Sequence, residues 1–275
     1  MTDRYAVIGN PVAHSRSPRI HALFAQAVGH DMEYGLILAM PGHFADEVRR
    51  FREAGGRGLN VTVPFKLDAF ALATERTPRA TQAGALNTLK FDGERIVGDN
   101  TDGAGLVRDI RRLGFAIAGK RVLLMGAGGA ARGAMLPLLE ERPAGVAIAN
   151  RTPEKAQALA ARFAALAGGV VVRGGGYAAF GGAAFDLVIN ATSASLAHEI
   201  PPLPGGAFAP GALAYDMMYG AAAEPFLAHA RSLGAGQAVD GLGMLVEQAA
   251  ESFLLWRGVR PPTAPVLARL REETA

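Results

Sequence analysis

The stretch Arg121-Val-Leu-Leu-Met-Gly-Ala-Gly-Gly-Ala-Ala-Arg-Gly133 predicts how this chain folds. Its apolar run from Val122 to Met125 is typical of a buried parallel strand, and an alanine-rich helical pattern begins directly after it. Gly126, Gly128 and Ala131 follow the G-x-G-x-x-G/A spacing, which turns the chain, admits a pyrophosphate to the backbone and permits close helix–strand packing. The pattern predicts a dinucleotide-binding turn, although glycine-rich turns also occur as plain connections.

Composition excludes several classes of protein. The chain has 275 residues, of which 50% are apolar, enough for one large or two modest cores. Its 28 basic and 25 acidic residues are spread along the sequence, whereas nucleic-acid-binding proteins concentrate their positive charge. The sequence contains no cysteine, its histidines lack metal-ligand spacing, and no apolar run is long enough to span a membrane. We therefore expect a cytoplasmic protein with no metal and no nucleic-acid or membrane partner.

Strand-like and helix-like segments alternate along the chain, which predicts an α/β fold with two domains. The first unit starts with a strand at Tyr5 to Gly9 and a helix for which Ser17 is the predicted N-cap, and we expect a parallel sheet with a hairpin at Asp92-Gly93. The second is a Rossmann-type, doubly wound dinucleotide-binding domain. The C-terminal helices have no following strand, so we expect them to pack back on the first unit. The predicted domains are 1–101 completed by 242–275, and 102–241.

The end of the second strand of the dinucleotide-binding unit indicates which cofactor is used. The sequence there is Asn150-Arg151-Thr152-Pro153-Glu154-Lys155. An acidic residue in this region would bind the ribose hydroxyls of NAD, whereas a basic residue accommodates the 2′-phosphate of NADP. Arg151 offers a planar fork to a phosphate, and Lys155 adds a second charge one helical turn later. The alternative is that both are ordinary solvated residues at a helix start.

Two polar segments of the first unit suggest acid–base chemistry. Lys66 follows a predicted strand, and the segment Gly98-Asp-Asn-Thr-Asp102 places two carboxylates and an amide near the domain junction. A lysine and an aspartate together can protonate or stabilise an alkoxide as hydride moves to a ketone. Ser15 and Ser17 could hold a carboxylate with the free N–H groups of the following helix. The alternatives are an ordinary turn at Gly98–Asp102 and a simple helix cap at Ser17.

These segments, taken together and in order, cover nearly the whole chain and resemble the shikimate dehydrogenase family. The residues that carry the resemblance are Gly9-Asn-Pro11, Ser15-Arg-Ser-Pro18, Asn60-Val-Thr-Val-Pro-Phe-Lys66, Gly84-Ala-Leu-Asn-Thr88, Gly98-Asp-Asn-Thr-Asp-Gly103, the Gly126 turn, Asn150-Arg-Thr152, Asn190-Ala-Thr-Ser193 and Asp240-Gly-Leu-Gly-Met-Leu245 through Gln248.

The resemblance implies reversible, NADPH-dependent reduction of 3-dehydroshikimate to shikimate, a step of aromatic amino-acid biosynthesis. It implies that the first unit is the substrate-binding domain, with Lys66 as catalytic acid/base and Asp102 as its partner. The substrate-binding residues that it implies are Ser15, Ser17, Thr62, Asn87, Asp102, Tyr219 and Gln248. The residues expected to bind NADP are Gly126, Ala127, Gly128, Gly129, Ala130, Asn150, Arg151, Thr152, Lys155, Met217 and Gly241. We expect a monomer or homodimer.

Three alternatives remain at this level. Within the family, the chain could be a quinate/shikimate dehydrogenase with broader substrate or cofactor specificity. From other classes, the Gly126 turn could serve an S-adenosylmethionine methyltransferase, for which an acid in place of Arg151 would be more natural, or a non-catalytic nucleotide-binding regulator, which would need neither Lys66 nor Asp102. The sequence also departs from the family pattern at Ser195, where a glycine is usual, and at Gly220–Glu224.

Overall fold

The structure is a computed structural model that describes residues 2–192, 194, 200–203 and 205–273. The chain forms two compact units. The first comprises Met1–Gly105 and Leu245–Ala275, and the second comprises Leu106–Met244. Helix α5, Asp102–Arg112, runs from the first unit into the second.

The first unit is built on a six-stranded mixed sheet in the order β2-β1-β3-β5-β6-β4. Strands β1, β2 and β3 are parallel, as predicted, but the hairpin strand β5 also pairs antiparallel with β3, so the sheet is mixed. The hairpin of β5 and β6 is confirmed. The elements are β1 Asp3–Gly9, α1 Ser17–Val28, β2 Met32–Leu38, α2 Phe44–Glu53, β3 Gly56–Val61, α3 Lys66–Leu72, β4 Glu75–Arg76, α4 Pro78–Ala83, β5 Thr88–Asp92, β6 Arg95–Asp99, and the final helices α9 Leu242–Arg257 and α10 Ala264–Glu272.

The second unit has a six-stranded parallel sheet in the order β12-β11-β10-β7-β8-β9. Counted from its own first strand, this is the 3-2-1-4-5-6 order of the doubly wound dinucleotide-binding fold, which confirms the predicted fold class. The elements are β7 Arg121–Met125, α6 Gly129–Glu140, β8 Gly145–Ala149, α7 Pro153–Ala164, β9 Val171–Gly175, β10 Phe185–Asn190, β11 Phe208–Asp216, α8 Glu224–Ser232 and β12 Gln237–Val239.

Burial on both faces of this second sheet explains why β7 is apolar throughout. Val122 and Leu124 face one hydrophobic core, whereas Leu123 and Met125 face the other. Successive side chains of a strand point to opposite faces, so a strand covered on both sides has no polar position. All four side chains are at most 1% exposed.

Two local predictions were wrong for identifiable physical reasons. The glycine- and alanine-rich stretch from Gly174 to Ala184 predicts a loop and a short helix, but Gly174 lies in β9, where a Cβ would stand 2.2 Å from the carbonyl oxygen of Ala156 on α7. Glycine is therefore needed there for close helix–strand packing, and not for a turn. Ser17, predicted as an N-cap, is instead the first residue of α1, and its N–H donates to the hydroxyl of Ser15 at 3.3 Å.

An aromatic cluster joins α1, β2 and α9 in the first unit. The His21 ring is fully buried and stacks on Tyr34, with ring centroids 4.3 Å apart and planes 5° from parallel. Trp256 packs against His21 at 5.3 Å and donates its indole N–H to the carbonyl of Leu89 at 3.0 Å. Burial lowers the pKa of His21 from its ordinary value of 6.5 to about 3, and the Asn60 side chain only partly opposes this shift. His21 is therefore neutral in the folded protein.

We expect His21 to weaken the fold in mild acid. The folded-state pKa is lower than the unfolded one, so the contribution to stability is complete above pH 6.5 and is lost progressively as the pH falls towards 3. Between pH 6 and 4 this group should lower the free energy of unfolding by about 1.4 kcal/mol per pH unit.

The measurement is urea unfolding of wild type and of His21→Phe at pH 7, 6, 5 and 4. The phenylalanine variant should lose stability less steeply with acid, whatever its stability at pH 7. His43→Phe, at an exposed position, is the control and should keep the wild-type pH dependence. Parallel curves for wild type and His21→Phe would contradict the prediction.

Candidate active site

The topology of the first unit gathers the predicted catalytic residues at one edge of its sheet. Strands β1, β3 and β6 end at this edge, and β5, which is antiparallel to β3 and β6, begins there. The segments that carry polar side chains leave from these ends, because parallel strands place their carboxyl ends together. Lys66 opens α3 beyond β3, Asn87 directly precedes β5, and Asp102 opens α5 beyond β6.

Lys66 and Asp102 form an ion pair at this edge. The Lys66 ammonium donates to Oδ2 of Asp102 over 2.5 Å, and the two side chains are 17% and 9% exposed. Oδ1 of Asp102 accepts a second hydrogen bond, from the amide nitrogen of Asn87 at 2.8 Å. Asp102 also lies in the first turn of α5, where the helix dipole favours a negative charge. The carboxylate is thus held on both oxygens, and the lysine keeps N–H donors for a reacting group.

Asn87 can adopt only one amide orientation. Its Oδ1 accepts the backbone N–H of Thr101 at 2.8 Å, which turns Nδ2 towards Asp102 and towards Oε1 of Gln248, 3.2 Å away. Asn87 and Gln248 are 3% and 8% exposed. The amide of Gln248 is itself steadied by a hydrogen bond from Nε2 to the carbonyl of Leu245 at 2.9 Å. The structure therefore brings Lys66, Asn87, Asp102 and Gln248 into one hydrogen-bonded group, which we call the Lys66 group.

Ser15, Ser17 and Thr62 lie on other segments of the same sheet edge. Ser17 is buried beside the phenol of Tyr34, which donates to Oδ1 of Asn60 at 2.7 Å. Thr62 follows β3 and packs its methyl group against Gly9, where a Cβ would lie 2.3 Å away. In the described part of the chain, no direct hydrogen bond joins these three side chains to the Lys66 group.

Sequence reasoning gave no role to four buried polar side chains behind the Lys66 group. Asn60 donates to the hydroxyls of Thr88 and Ser252 at 3.1 and 2.9 Å, and the Thr101 hydroxyl lies 3.2 Å from Oε1 of Gln248. Asn60 did carry a detectable signal, because it is a polar residue between the apolar Leu59 and Val61 of a buried strand. Ser252 carries no such signal, since one serine in a helix is usually solvated.

The second unit presents its glycine turn at the carboxyl end of β7. Gly126 has a φ of +108°, and a Cβ there would stand 2.9 Å from the carbonyl oxygen of Ala191. Its N–H donates to the carbonyl of Ala149 at 2.7 Å, which extends the β7–β8 pairing by one hydrogen bond and fixes the start of the turn. A Cβ at Gly128 would meet no atom within 4 Å, so open space lies over the turn where α6 begins at Gly129. A free helix N-terminus beside open space fits a pyrophosphate.

The segment after β8 carries four more predicted cofactor residues at the same sheet edge, and the last of them, Lys155, lies in the first turn of α7. Arg151, Thr152 and Lys155 follow β8 and are exposed, and the Asn150 side chain donates to the carbonyl of Thr152 at 2.9 Å. The Arg151 and Lys155 side chains form no ion pair with any residue in the described ranges. Positive charges near a helix N-terminus are unfavourable for the helix itself, so these two side chains fit binding of an anionic ligand better than a structural role.

Met217 and Gly241 meet on the far side of the switch point between β7 and β10. A Cβ at Gly241 would stand 2.4 Å from the carbonyl oxygen of Met217, so only glycine allows this approach. The N–H of Met217 donates to the carbonyl of Asn190 at 3.0 Å. Tyr219, predicted to bind substrate, lies on the same loop of the second unit, two residues after Met217.

Of the departures from the family pattern, only one can be located. Gly220–Ala222 forms a short 3-10 turn, and the Gly220 N–H donates to a carboxylate oxygen of Asp240 at 3.0 Å. Ser193, part of the resemblance, and Ser195 lie outside the described residues.

The described residues offer neither a metal-binding cluster nor a membrane-spanning helix. They contain no group of three or more histidine, cysteine, aspartate or glutamate side chains arranged to hold a metal ion. None of the helices in the described ranges has the length and apolar character needed to cross a bilayer.

A doubly wound dinucleotide-binding unit, with a second α/β unit that carries a buried lysine–aspartate pair, defines a nicotinamide-dependent dehydrogenase. Family models agree along the chain: "Shikimate dehydrogenase substrate binding domain" matches residues 7–89, "Shikimate / quinate 5-dehydrogenase" matches residues 110–197, and "Shikimate 5'-dehydrogenase C-terminal domain" matches residues 241–271. The chain belongs to the shikimate dehydrogenase family.

Full-length relatives support the same assignment. The shikimate dehydrogenase (NADP(+)) of Aromatoleum aromaticum is 61% identical over 272 residues, which cover 98% of each chain. The Ael1 enzyme from Pseudomonas putida has a crystal structure that is 51% identical, with a TM-score of 0.88 and 98% of each chain covered. Shikimate 5-dehydrogenase from Thermus thermophilus, solved with NADP(H) and shikimate, is 30% identical, with a TM-score of 0.84 and 98% and 99% of the chains covered.

Proposed function

We propose that this protein catalyses the reversible, NADPH-dependent reduction of 3-dehydroshikimate to shikimate, in the pathway to the aromatic amino acids. The observation that carries the proposal is the ion pair of Lys66 and Asp102, held by Asn87 at the carboxyl edge of the first sheet. Full-length relatives named shikimate dehydrogenase (NADP(+)) support the choice of substrate and cofactor.

The second unit supplies the binding site for NADP. Gly126, Ala127, Gly128, Gly129 and Ala130 would receive the pyrophosphate, because the turn and the first N–H groups of α6 face open space above Gly128. Asn150, Arg151, Thr152 and Lys155 would bind the adenosine end, with the two cations on the 2′-phosphate. Met217 and Gly241, which touch each other through backbone, would line the nicotinamide end.

The first unit supplies most groups for the substrate. Ser15 and Ser17 would hold the carboxylate, and Thr62, Asn87, Asp102 and Gln248 would bind the hydroxyls. Asn87 Nδ2 already donates to both Asp102 Oδ1 and Gln248 Oε1, so these three groups are oriented before substrate arrives. We add Tyr219, from the second unit, to the substrate set on the family resemblance alone.

Lys66 moves the proton of the reaction. NADPH, when bound, supplies the hydride that reduces the C3 carbonyl carbon. The Lys66 ammonium then donates a proton to the C3 oxygen, so that the alkoxide becomes the hydroxyl of shikimate and the lysine becomes a neutral amine. Asp102 keeps Lys66 in place through their ion pair. A proton from solvent restores the ammonium, and in the reverse direction the neutral amine takes the proton from the hydroxyl.

Three attributes remain predictions of the same proposal. They are a cytoplasmic location, a monomeric or homodimeric state, and a preference for shikimate over quinate. Quinate differs from shikimate in the ring atoms next to the carboxylate, so the discrimination would fall to the residues around Ser15, Ser17 and Thr62.

The activity assay is the first test of this proposal. Purified protein should reduce NADP with shikimate, followed as absorbance of the reduced nicotinamide, and should turn over NAD at least about tenfold less efficiently, because charge-assisted bonds to the 2′-phosphate contribute about 1.5–3 kcal/mol. Comparable kcat/KM on quinate would identify the broader quinate/shikimate enzyme. Absence of turnover with any of these pairs, in folded protein, would refute the proposal.

Substitution of Lys66 tests the proton transfer. Lys66→Ala should lower kcat by about 10³-fold while the Kd for NADPH stays close to wild type, because general acid catalysis contributes about 10²–10⁴-fold. Lys66→Arg should be nearly as inactive, since a guanidinium keeps the charge but does not release its proton. Lys90→Ala, on β5 of the same unit, is the matched control. An equal loss of NADPH affinity in Lys66→Ala would count against the assignment.

A pair of glycine variants tests the cofactor site. Gly128→Ala should fold with wild-type stability, within about 0.5 kcal/mol, and yet bind NADP at least tenfold more weakly, because the new methyl group occupies the pyrophosphate space. Gly126→Ala should weaken NADP binding and also destabilise the fold. The loss of stability should be about 1–3 kcal/mol, since the φ of Gly126 is positive and the Ala191 carbonyl is close. Thermal unfolding and fluorescence titration with NADPH measure the two effects. Full NADP affinity in Gly128→Ala would place the cofactor elsewhere.

A further inference from the structure

A chain of alternating charges runs behind the Lys66 group, and the backbone carbonyl of its first member, Asp99, accepts the N–H of Asn87 at 3.1 Å. In order, its members are Asp99, Arg79, Glu251, Arg260 and Glu247. They come from the end of β6, from α4, from α9 and from the segment after α9. The carboxylates are buried, at 2% for Asp99 and 7% for both glutamates. Buried charges are costly unless each is paired, so a network of this kind calls for an explanation beyond stability.

At one end of this network, Asp99 fixes the segment that leads to Asp102. Arg79 donates two parallel hydrogen bonds to Asp99, from Nε to Oδ1 at 2.8 Å and from Nη2 to Oδ2 at 2.5 Å. The Thr77 hydroxyl and the Asn100 N–H add bonds to Oδ1 at 2.6 and 2.8 Å. Burial by itself would raise the pKa of Asp99, but Arg79 and these donors hold that pKa below its ordinary value. The Asp99 carboxylate therefore stays charged and hydrogen-bonded on both oxygens, three residues before Asp102.

At the other end, the network fixes the helix that carries Gln248. Arg79 extends Nη1 to Oε2 of Glu251 at 3.2 Å, while Arg260 pairs with Glu251 and, at 2.6 Å, with Glu247. Glu247 and Glu251 are one turn apart on α9 and flank Gln248 on its N-terminal and C-terminal sides. Two arginines that hold successive turns leave the helix little freedom to rotate or slide. The position of the Gln248 amide follows from this.

The guanidinium of Arg79 therefore joins the segment that leads to Asp102 and the helix that carries Gln248. We propose that Arg79 is a positioning residue, which sets Asp102 and Gln248 in register about Asn87 by holding Asp99 and Glu251 together. The inference rests on the proposed function, because it assigns to Gln248 and Asp102 their roles towards the substrate. Lysine could keep the charge at this position, but it could not hold Asp99 with a planar fork and reach Glu251 at the same time.

The test compares Arg79→Lys with wild type in steady-state kinetics. Arg79→Lys should lower kcat with shikimate at least about tenfold, because small displacements of reacting groups are costly, and should leave the Kd for NADP within twofold of wild type. The matched control is Arg111→Lys, which removes the same two-bonded fork, with Glu141, from an exposed position. That variant should keep wild-type kinetics. Wild-type kcat in Arg79→Lys, or an equal loss of NADP affinity, would overturn the proposal.

A second readout does not depend on the identity of the substrate. Acetic anhydride acylates lysine amines, and peptide mass spectrometry gives the rate at Lys66 relative to Lys120 in the other unit. If Arg79 holds Asp102 against Lys66, Arg79→Lys should raise this ratio about threefold or more, because Lys66 spends less time in its ion pair. An unchanged ratio overturns the proposal. If the wild type fails to oxidise shikimate, the proposed function fails, and the ratio by itself decides on Arg79.

Glu251→Gln tests the positioning of Gln248 independently of Asp102. It also keeps the proposal testable if Arg79→Lys does not fold. This variant keeps the Arg79–Asp99 pair and loosens only α9. It should raise the KM for shikimate at least threefold through Gln248, with kcat and the Lys66 acylation ratio near wild type. A wild-type KM in Glu251→Gln would contradict the role of the network in placing Gln248.

Discussion

Parallel strands deliver their carboxyl ends to the same edge of a sheet, and both units of this chain depend on that constraint. In the first unit it brings the segments after β1, β3 and β6 together, so that Lys66 meets Asp102 although 36 residues separate them. In the second unit it places the Gly126 turn beside the loops after β8 and β10. Neither site is local in sequence, because each is built from segments that the sheet topology brings together.

The polar interior of the first unit is the consequence. Gathering catalytic side chains at a covered sheet edge also buries amides, hydroxyls and carboxylates, and a buried polar group without a partner is destabilising by about 1–3 kcal/mol. The buried polar groups avoid this cost by hydrogen-bonding to one another. Asn87 bonds to Thr101, Asp102 and Gln248, while Asn60 bonds to Thr88 and Ser252. Such a network also selects one rotamer for each member, which is what a site for a small polyhydroxylated acid requires.

Sequence reasoning succeeded where a local pattern of residues is enough to predict the local structure. The apolar run of β7, the glycine spacing after it and the alternation of elements predicted the dinucleotide-binding unit, and its strand order confirmed the fold class. It failed where a residue serves a distant partner. Gly174 is a residue type typical of loops but lies in a strand because α7 passes close to it, and Ser17 looks like a cap although its side chain is buried beside the phenol of Tyr34. The antiparallel pairing of β5 with β3 was also missed, because the hairpin pattern does not show which strand it joins.

The sequence by itself determined the fold class, the glycine turn, the basic residues that follow β8 and, through a family resemblance, the identities of the expected site residues. Those properties are written in short motifs, because turns, helix starts and buried strands depend on a few neighbouring residues. Only the tertiary structure decided how the site is held: that Asn87 turns its amide towards Asp102, and that Arg79 joins Asp99 to Glu251 across 172 positions of sequence. Such contacts depend on how elements far apart in the chain pack, and no local pattern encodes that distance.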